Sequence, residues 1–330
     1  MNHYTNGSDD GVHFTWCSVL YEEADIPRER ILGPLDLETT LLSGQTSEPQ
    51  WDLEDGYYSD VEDFGGRAVK YRVRQNGTRE EPHLKIAVTT DDNGANLGRT
   101  VADHIVNVLR LDDDLDDFYR AFDEKKGDVI SKTFPQLLGL RLMRGNNPFE
   151  SLISSITTQH NSIVLWTKSV KLVRDTYGRP ARLTDGSTIH LFPKPEALAS
   201  ASKQDLEKTG LTYRAKYVIE AARRVRDGEL NLEELRRQDY EKAKTKLMEL
   251  PGIGPKVADC FLLYGLGKTE AAPVDIWIHR IVRKMYFHGA NVSTEKAARF
   301  LRERYGSWAG YVQLYLFHYA RKTRLVCQTL

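Results

Sequence analysis

A glycine- and proline-rich turn between two helical runs constrains the fold of this chain more than any other feature. Residues 250–278 read LPGIGPKVADCFLLYGLGKTEAAPVDIWI. Pro255 suits the first position of a helix, because the N–H that proline lacks has no partner there. Gly252 and Gly254 let the backbone come close to another molecule, and main-chain N–H groups at a helix start bind phosphate oxygens. The same residues also fit a plain tight turn between packed helices, so a helical hairpin is predicted in either case.

Two charged side chains stand at the helix starts of this stretch. Lys256 follows Pro255, and Asp275 precedes the run Ile276–Met285. A cation near the positive end of a helix is disfavoured by about 0.3–1 kcal/mol, which favours the neutral, nucleophilic form of a lysine. Asp275 is a natural N-cap, and capping alone explains it. A carboxylate and an amine at two helix starts also fit a catalytic pair, and the residues by themselves leave both interpretations open.

Length and charge indicate two units. The 330 residues exceed the usual size of a single domain. Residues 1–115 hold 10 basic and 23 acidic side chains, a net charge of −13, whereas residues 116–330 hold 36 and 24, a net charge of +12. We therefore expect an acidic domain over 1–115 and a basic domain over 116–330. The basic unit is a candidate polyanion binder, although a mixed-sign helical surface explains the same charge.

Cysteine usage and the chain start bear on the compartment. Cys17, Cys260 and Cys327 fit neither a disulfide framework nor a four-thiolate metal site, which favours a reducing compartment. The first residues lack the basic and apolar regions of a signal peptide. The apolar runs are far shorter than the roughly 20 residues that cross a bilayer. We expect an intracellular monomer with no membrane partner.

The hydrophobic period changes near residue 117. Before it, runs rich in Val, Tyr and Thr predict strands at Val12–Leu20, Tyr57–Val61, Ala68–Arg74 and Leu84–Thr90. Gln75-Asn76-Gly77 predicts a hairpin, and Asp112–Asp117 predicts a solvated helix start or linker. After it, helices are predicted over Phe149–Val173, which starts behind Asn147-Pro148, and over 214–226, 233–249, 255–266, 275–286, 294–305 and 307–321. Segregated strands and helices indicate an α+β fold, an N-terminal antiparallel β-rich domain followed by an all-helical domain.

The hairpin segment resembles a known family. LPGIGPKVADC…PVDIWI is similar to the helix-hairpin-helix motif of base-excision DNA glycosylases, with its Gly/Pro-rich loop and essential aspartate. A lysine directly before VADC resembles the 8-oxoguanine DNA glycosylase branch, which cleaves the glycosidic bond and then nicks the abasic strand. The resemblance covers residues 36–321 and is strongest over 206–324. It implies that Lys256 and Asp275 are catalytic, and that the partner is double-stranded DNA containing 8-oxoguanine.

The same resemblance implies a base pocket. Leu42-Ser43-Gly44-Gln45 resembles the family's loop whose glycine carbonyl accepts the N7–H that 8-oxoguanine has and guanine lacks, a role that falls to Gly44. The segments AGYVQ and LF resemble those that place a glutamine at the Watson–Crick edge of the flipped base and a phenylalanine on its face. Here these residues are Gln313 and Phe317, with Cys260, one turn beyond Lys256, on the opposite face. Taken singly, they also fit a turn glycine and core residues.

Further matches imply contacts with DNA. Tyr213-Arg214, inside LTYRAKYV, resembles the family's wedge tyrosine and the arginine that contacts the opposite cytosine, which base extrusion leaves without a partner. An exposed pair at a helix start is the plain alternative. The gap-filling loop is expected in residues 158–161, where His160 replaces the family's first asparagine. The DNA-contacting set that the resemblance implies is His160, Asn161, Tyr213, Arg214, Gly252, Gly254 and Trp277.

Three departures from the family's pattern bear on specificity. Leu165 stands where the eukaryotic enzymes have a second cytosine-reading arginine, which predicts relaxed discrimination for cytosine opposite the lesion. Trp277 stands where they have a phosphate-contacting histidine. The segment 46–51, TSEPQW, replaces their aromatic-and-basic run and weakens the placement of Gly44.

The implied function is that of a bifunctional DNA glycosylase/AP lyase. It would excise 8-oxoguanine from duplex DNA and cleave the abasic strand by β-elimination through a lysine Schiff base. No organic cofactor is expected, and the carbonyls of Met248, Leu250 and Ile253 are expected to hold a structural monovalent cation. The alternatives are an alkylpurine DNA glycosylase, which does not need Lys256, and a non-catalytic helix-hairpin-helix DNA-binding protein. A pyrimidine glycosylase of the endonuclease III type usually carries a C-terminal four-cysteine cluster, which this chain lacks.

Overall fold

The computed structural model describes residues 21–45, 51–92, 96–123 and 128–323. The predicted strand Val12–Leu20, together with Cys17 and Cys327, lies outside these residues. Within them, no helix combines the length and the apolar character that crossing a membrane requires.

An antiparallel sheet forms the N-terminal part. Its five strands are β1 Glu22–Ile26, β2 Asp52–Glu54, β3 Tyr57–Phe64, β4 Arg67–Gly77 and β5 Pro82–Thr90. They lie in the order β1-β5-β4-β3-β2. In β4 the inward-facing Val69, Tyr71 and Val73 are fully buried and alternate with more exposed residues, as a half-buried strand requires. The three predicted strands among the described residues are confirmed, and β1 and β2 were not predicted.

The predicted hairpin is present, but its turn lies further along the chain. Gln75-Asn76-Gly77 forms the end of β4 rather than the turn, because Gly77 pairs with Pro82 at the start of β5. The turn is therefore residues 78–81. An Asn-Gly pair signals a change of chain direction nearby, and here the positive φ of Gly77, 79°, is used at the last paired position.

Helices make up most of the remaining structure. Their bounds are α1 Leu37–Leu41, α2 Gly98–Val108, α3 Leu115–Ala121, α4 Phe134–Leu137, α5 Pro148–Thr157, α6 Ile163–Tyr177, α7 Pro195–Ser200, α8 Lys203–Leu206, α9 Ala215–Arg226, α10 Leu232–Arg237, α11 Tyr240–Met248, α12 Pro255–Cys260, α13 Ile276–Tyr286, α14 Thr294–Tyr305 and α15 Ala309–Thr323. One short hairpin interrupts them, β6 Pro180–Arg182 paired with β7 Thr188–His190. The α+β fold class is confirmed, with this hairpin as an unpredicted addition to the helical part.

Two helices that we predicted as continuous are broken. The helix predicted over Phe149–Val173 is α5 and α6, because the Ser162 side chain accepts the N–H of Leu165 and caps a new helix. The helix predicted over 233–249 is α10 and α11, because Asp239 caps the second one by accepting the N–H of Lys242. Both predictions were wrong because the apolar periodicity runs on through each break.

The acidic run is only partly solvated. Asp114 accepts the N–H of Asp117 and caps α3, as a helix start was expected to do. Asp113 instead points inward, where it receives two hydrogen bonds from Arg110, at 2.6 and 2.8 Å, and one from the Tyr311 hydroxyl at 2.7 Å. This carboxylate thus joins the start of the helical part to its last helix.

The apolar interior forms two main cores. One is built from residues 26–111 with Met143, and the other from residues 115–320. The domain boundary at residue 115 stays a prediction of the sequence. Apart from Met143, the first core ends at Leu111, and the second core begins at Leu115. Loop residue Gln45 links the two parts, since its amide bonds the carbonyl of Arg141 and the N–H of Met143.

A buried ionic cluster joins the sheet to the helices. Arg174 of α6 contacts Asp60 of β3 at 3.1 Å and Glu150 of α5 at 2.7 Å. Glu62 of β3 lies beside them. Burial, and after it the negative charges of Glu150 and Asp60, raise the pKa of Glu62 to about 8. At neutral pH the cluster therefore keeps a proton on Glu62.

This proton makes folding stability depend on pH. Because the pKa of Glu62 is raised in the folded state, its contribution is fully present below pH 4.5 and is lost as the pH rises through about 8. We expect the free energy of unfolding to fall by on the order of 2 kcal/mol between roughly pH 6 and 9, and Glu62→Gln to remove most of that fall. Urea unfolding at both pH values measures it, with exposed Glu81→Gln as the control. An unchanged fall in Glu62→Gln would contradict the assignment.

Candidate active site

The predicted helical hairpin is confirmed. Helix α11 ends at Met248, the turn follows, and α12 starts behind Gly254 with Pro255 at its first position. Gly252 has φ 84°, and a Cβ there would lie 2.5 Å from Cγ of the Tyr217 ring. A Cβ on Gly254 would meet nothing within 4 Å. Gly252 is thus needed for the fold of the turn, whereas Gly254 leaves the helix start open to an approaching group.

Lys256 lies in the first turn of α12, as predicted, and is half-buried. Its Nζ donates to the hydroxyl of Thr158 at 3.1 Å. That hydroxyl in turn donates to the carbonyl of Ser155 at 2.8 Å. The amine is therefore held against the end of α5, a contact that the sequence did not predict.

Asp275 caps α13, as predicted. Its Oδ1 accepts the N–H of Ile278 at 2.8 Å, and the carboxylate is half-buried. No ion pair joins it to Lys256 among the described residues, where the Lys256 bond is the one to Thr158. The carboxylate is free of a neutralising contact with the amine, so it is able to act on positive charge that develops elsewhere. The catalytic pairing itself stays a prediction.

Three polar groups meet on the inner side of α12 and α15. The Tyr264 hydroxyl donates to Oε1 of Gln313 at 3.3 Å, and Cys260 lies one turn before Tyr264. Burial, and after it the thiol of Cys260 and the carboxylate of Asp275, raise the pKa of Tyr264 well above 10. Gln313, Cys260 and Asp275 thus each interact with Tyr264. The structure therefore brings together Cys260, Gln313 and Asp275 of the predicted set.

The loop that carries Gly44 adjoins the last helix of the site. Gly44 has φ 76°, and a Cβ there would lie 2.6 Å from Cδ1 of Ile163, the first residue of α6. The ring of His318 is hydrogen-bonded to the main chain of Ser43, and burial lowers the pKa of that ring to about 4. Phe317 precedes His318, their ring centres 5.5 Å apart. Gly44 and Phe317 are thus brought to neighbouring positions, as the base pocket requires.

Phe317 has a cation over its ring. The guanidinium carbon of Arg321 lies 5.4 Å from the ring centre, and the phenylalanine is half-buried. A partly open aromatic face beside a buried amide is what stacking of a planar base needs.

The predicted wedge residues cluster at a second edge of the site. Tyr213 is 44% exposed, its hydroxyl is 3.3 Å from Nδ1 of His160, and the Arg214 guanidinium carbon is 4.6 Å from its ring centre. Two of these backbones are unusual, since Thr212 has φ 52° and ψ −133° and His160 has φ 45°. Strained residues of this kind concentrate at functional sites. Tyr213, the predicted wedge residue, thus directly follows a residue with a strained backbone.

Arg214 does not face outward. It is 5% exposed and donates to the carbonyls of Gln159, His160 and Leu211 and to the hydroxyl of Thr212. In this conformation the guanidinium donors are engaged within the protein, where they hold Gln159 and His160, so they do not point towards an opposite cytosine as predicted. Asn161 supports the same loop, because its amide donates to the carbonyl of Thr157 at 3.2 Å.

Exposed apolar side chains flank the hairpin. Trp277 is 44% exposed on the first turn of α13, with the Arg280 guanidinium carbon 5.8 Å from its ring centre. Leu165, on the first turn of α6, is exposed at the place expected to lack an arginine. Met248 is exposed at the end of α11.

The sequence did not predict a role for Tyr264 or for the Thr158 hydroxyl. Tyr264 recurs four residues after Cys260, which itself follows Lys256 by four, so helical spacing was a usable signal. The Thr158 contact had no such signal, because 98 residues separate it from Lys256.

Two family models match this chain, one in each half. The family model described as 8-oxoguanine DNA glycosylase, N-terminal domain, matches residues 29–152, and that described as HhH-GPD superfamily base excision DNA repair protein matches residues 153–306. A probable N-glycosylase/DNA lyase of Methanothermobacter thermautotrophicus is 35% identical over 89% of this chain and 96% of its own length. This chain belongs to the 8-oxoguanine DNA glycosylase family.

Solved structures share the fold of this family member. MBOgg1, in complex with a low affinity DNA ligand, has a TM-score of 0.78 at 29% identity, covering 92% of this chain and 99% of its own. The Clostridium acetobutylicum 8-oxoguanine glycosylase/lyase, with double-stranded DNA containing cytosine opposite 8-oxoG, has 0.74 at 25%, covering 92% and 98%. The Archaeoglobus fulgidus 3-methyladenine DNA glycosylase has 0.71 at 26%, covering 90% and 98%. Because the last two enzymes are named for different damaged bases, the fold alone does not identify the base that this chain removes. The site residues have to carry that argument.

The two hairpin glycines provide a matched test. We expect Gly252→Ala to lower the free energy of unfolding by about 1–3 kcal/mol, because of its positive φ and the overlap with Tyr217. Gly254→Ala should leave stability within about 0.5 kcal/mol of the native value. If a phosphate approaches this helix start, Gly254→Ala will still weaken duplex binding. Urea unfolding and fluorescence-anisotropy binding measure the two effects, and equal stability losses would refute the distinction.

Proposed function

We propose that this protein excises 8-oxoguanine from duplex DNA and then cleaves the abasic strand by β-elimination. The observation that carries the proposal is the half-buried amine of Lys256 on α12, the helix that also carries Cys260. One turn after Cys260, Tyr264 interacts with Gln313 and Asp275. A glycosylase that works with water alone does not need a lysine at this position. The amine therefore favours the lyase branch over an alkylpurine glycosylase.

Recognition divides among three groups. The carbonyl of Gly44 accepts N7–H of the lesion, a hydrogen that guanine lacks. Gln313 meets the Watson–Crick edge through its amide, whose Oε1 is already held by Tyr264. Phe317 stacks on the base face, with Cys260 opposite it. Tyr213 and His160 fill the gap in the duplex that base extrusion leaves.

Chemistry then passes to Lys256 and Asp275. The neutral amine attacks C1′ of the sugar as the base departs with the electron pair of the glycosidic bond. Asp275, with no ion pair to the amine, stabilises the positive charge on the sugar ring. Loss of the ring oxygen bond gives a Schiff base between Nζ and C1′. Removal of a C2′ proton expels the 3′ phosphate, and hydrolysis returns the amine.

Two further expectations concern the oligomeric state and the place of action. All residues assigned here belong to one chain, so a monomer suffices for the reaction. The protein is expected to act wherever its cell keeps DNA.

We also expect the hairpin to hold a monovalent cation through the carbonyls of Met248, Leu250 and Ile253. Helix α11 ends at Met248, so its last carbonyls lack helical partners. The Leu250 carbonyl accepts the Ile253 N–H at 3.1 Å and keeps a second lone pair. This all-oxygen donor set suits a hard cation. Affinity for undamaged duplex should be several-fold weaker in tetramethylammonium chloride than in equal potassium chloride, and equal affinities would remove the cation.

The nucleophile is tested with one 8-oxoguanine opposite cytosine in the presence of borohydride. Native protein should form a covalent adduct that Lys256→Gln loses together with base release. The exposed Lys242→Gln is the control and should keep both. An adduct that survives Lys256→Gln would overturn the mechanism. Base release from 3-methyladenine DNA without an adduct would support the alkylpurine alternative.

Asp275→Asn separates charge from capping. Asparagine caps a helix as well as aspartate does, so α13 should stay intact. We expect the rate of base release to fall by about 10²-fold or more, because electrostatic stabilisation of the sugar is lost. The dissociation constant for lesion duplex should change by less than about threefold, the discrimination that transition-state stabilisation predicts. A native rate would exclude Asp275 from the chemistry.

A further inference from the structure

We propose that Thr158 is a positioning residue for the Lys256 amine, an inference that rests on the function proposed above. Its hydroxyl is the group that the structure places on Nζ, at 3.1 Å. Thr158 thereby fixes the direction from which the amine meets the sugar.

The Thr158 hydroxyl can interact with Lys256 only as a hydrogen-bond acceptor. A hydroxyl has one hydrogen, and that of Thr158 goes to the carbonyl of Ser155 at 2.8 Å, which has none to give. The oxygen must therefore accept an N–H from Lys256. When the amine is neutral, this bond turns one N–H towards Thr158 and directs the lone pair elsewhere. A lysine side chain is otherwise flexible over four carbons.

The oxygen that accepts this bond is itself rigidly held. Thr158 is the C-cap that follows α5, and its own N–H donates to the carbonyls of Ser154 and Ser155 at 3.2 and 3.4 Å. Ser154 and Ser155 are fully buried. A fixed acceptor of this kind is what the alignment of a reactive amine needs, since small misplacements of reacting groups cost large rate factors.

The loop that follows Thr158 is secured from its other side. Arg214 donates to the carbonyls of Gln159 and His160. The residues that meet the gap in the duplex and the residue that orients the amine therefore belong to one hydrogen-bonded unit.

Thr158→Val removes the hydroxyl and keeps the shape. We expect single-turnover base release to slow by about tenfold, the loss of one hydrogen bond to a reacting group. The dissociation constant for a duplex with a tetrahydrofuran abasic analogue should stay within about twofold of native, because the contact orients rather than binds. Thr158→Ser keeps the hydroxyl and should release base within about threefold of the native rate.

Thr157→Val is the matched control. Thr157 stands beside Thr158, and its hydroxyl makes the same kind of helix-internal bond, to the carbonyl of Ile153 at 2.7 Å. Its hydroxyl bond is to that carbonyl and not to Lys256. Thr157→Val should therefore release base at the native rate. Thr158→Ala provides a second hydroxyl-free variant should Thr158→Val fold poorly.

A measurement without DNA is expected to show a faster reaction in Thr158→Val, whereas base release becomes slower. Reductive methylation with formaldehyde and cyanoborohydride reaches an amine from any direction, so Lys256 should be labelled faster once its bond to Thr158 is gone. Peptide mass spectrometry reports that rate relative to exposed Lys242 in the same digest. Faster labelling with slower base release is the signature of lost positioning. Loosening of α5 through loss of a helix-internal hydroxyl bond would slow base release in Thr157→Val as well.

The outcomes separate this inference from the proposed function. Positioning is overturned if Thr158→Val releases base at the native rate, or if Thr158→Ser is as slow as Thr158→Val. If native protein forms no adduct with 8-oxoguanine duplex, the proposed lesion fails, and the labelling of Lys256 still decides whether Thr158 holds the amine. If the adduct forms and labelling is the same in all variants, the proposed function stands and Thr158 has no part in it.

Discussion

Alignment of the site depends on the buried arginine between the sheet and the helices. Arg174 lies towards the end of α6 and joins Asp60 of the sheet to Glu150 of α5, with all three side chains about nine-tenths covered or more. A buried charge that loses its partner costs about 3–5 kcal/mol, so the cluster tolerates little displacement. The other end of α6 begins at Ile163, against which Gly44 packs without room for a Cβ. One helix therefore sets where the loop from the N-terminal part meets the helical part.

Local rules predicted the residues at helix ends, and these are the residues assigned to chemistry. A proline at the first helical position and a capping aspartate act within a single turn, so Lys256 and Asp275 were placed correctly from sequence. The same rules, had they been applied within the apolar run, would have divided Phe149–Val173 at Ser162. Periodicity was given precedence over the cap there, and the long-helix prediction was wrong for that reason.

Contacts between distant parts of the chain were beyond the sequence. The Tyr264 and Gln313 side chains bond across 49 residues, Arg214 and Gln159 across 55, and Lys256 and Thr158 across 98. No spacing rule connects such positions. The resemblance to known glycosylases named the predicted pocket residues. The structure links Cys260 and Gln313 through Tyr264, and it brings Ser43 and His318, the neighbours of Gly44 and Phe317, into contact. The resemblance did not predict that Arg214 donates to the carbonyls of Gln159 and His160 in the loop.

The contacts of α6 with the sheet and with Gly44 affect how variants of this protein would be interpreted. A substitution at Arg174 removes no group that touches a base, and the side chain is buried away from the pocket. Because α6 also packs against Gly44, the proposed function predicts that such a change weakens the distinction between damaged and normal guanine in a repair assay. A mutator phenotype can therefore arise from a substitution at a buried residue that makes no contact with DNA.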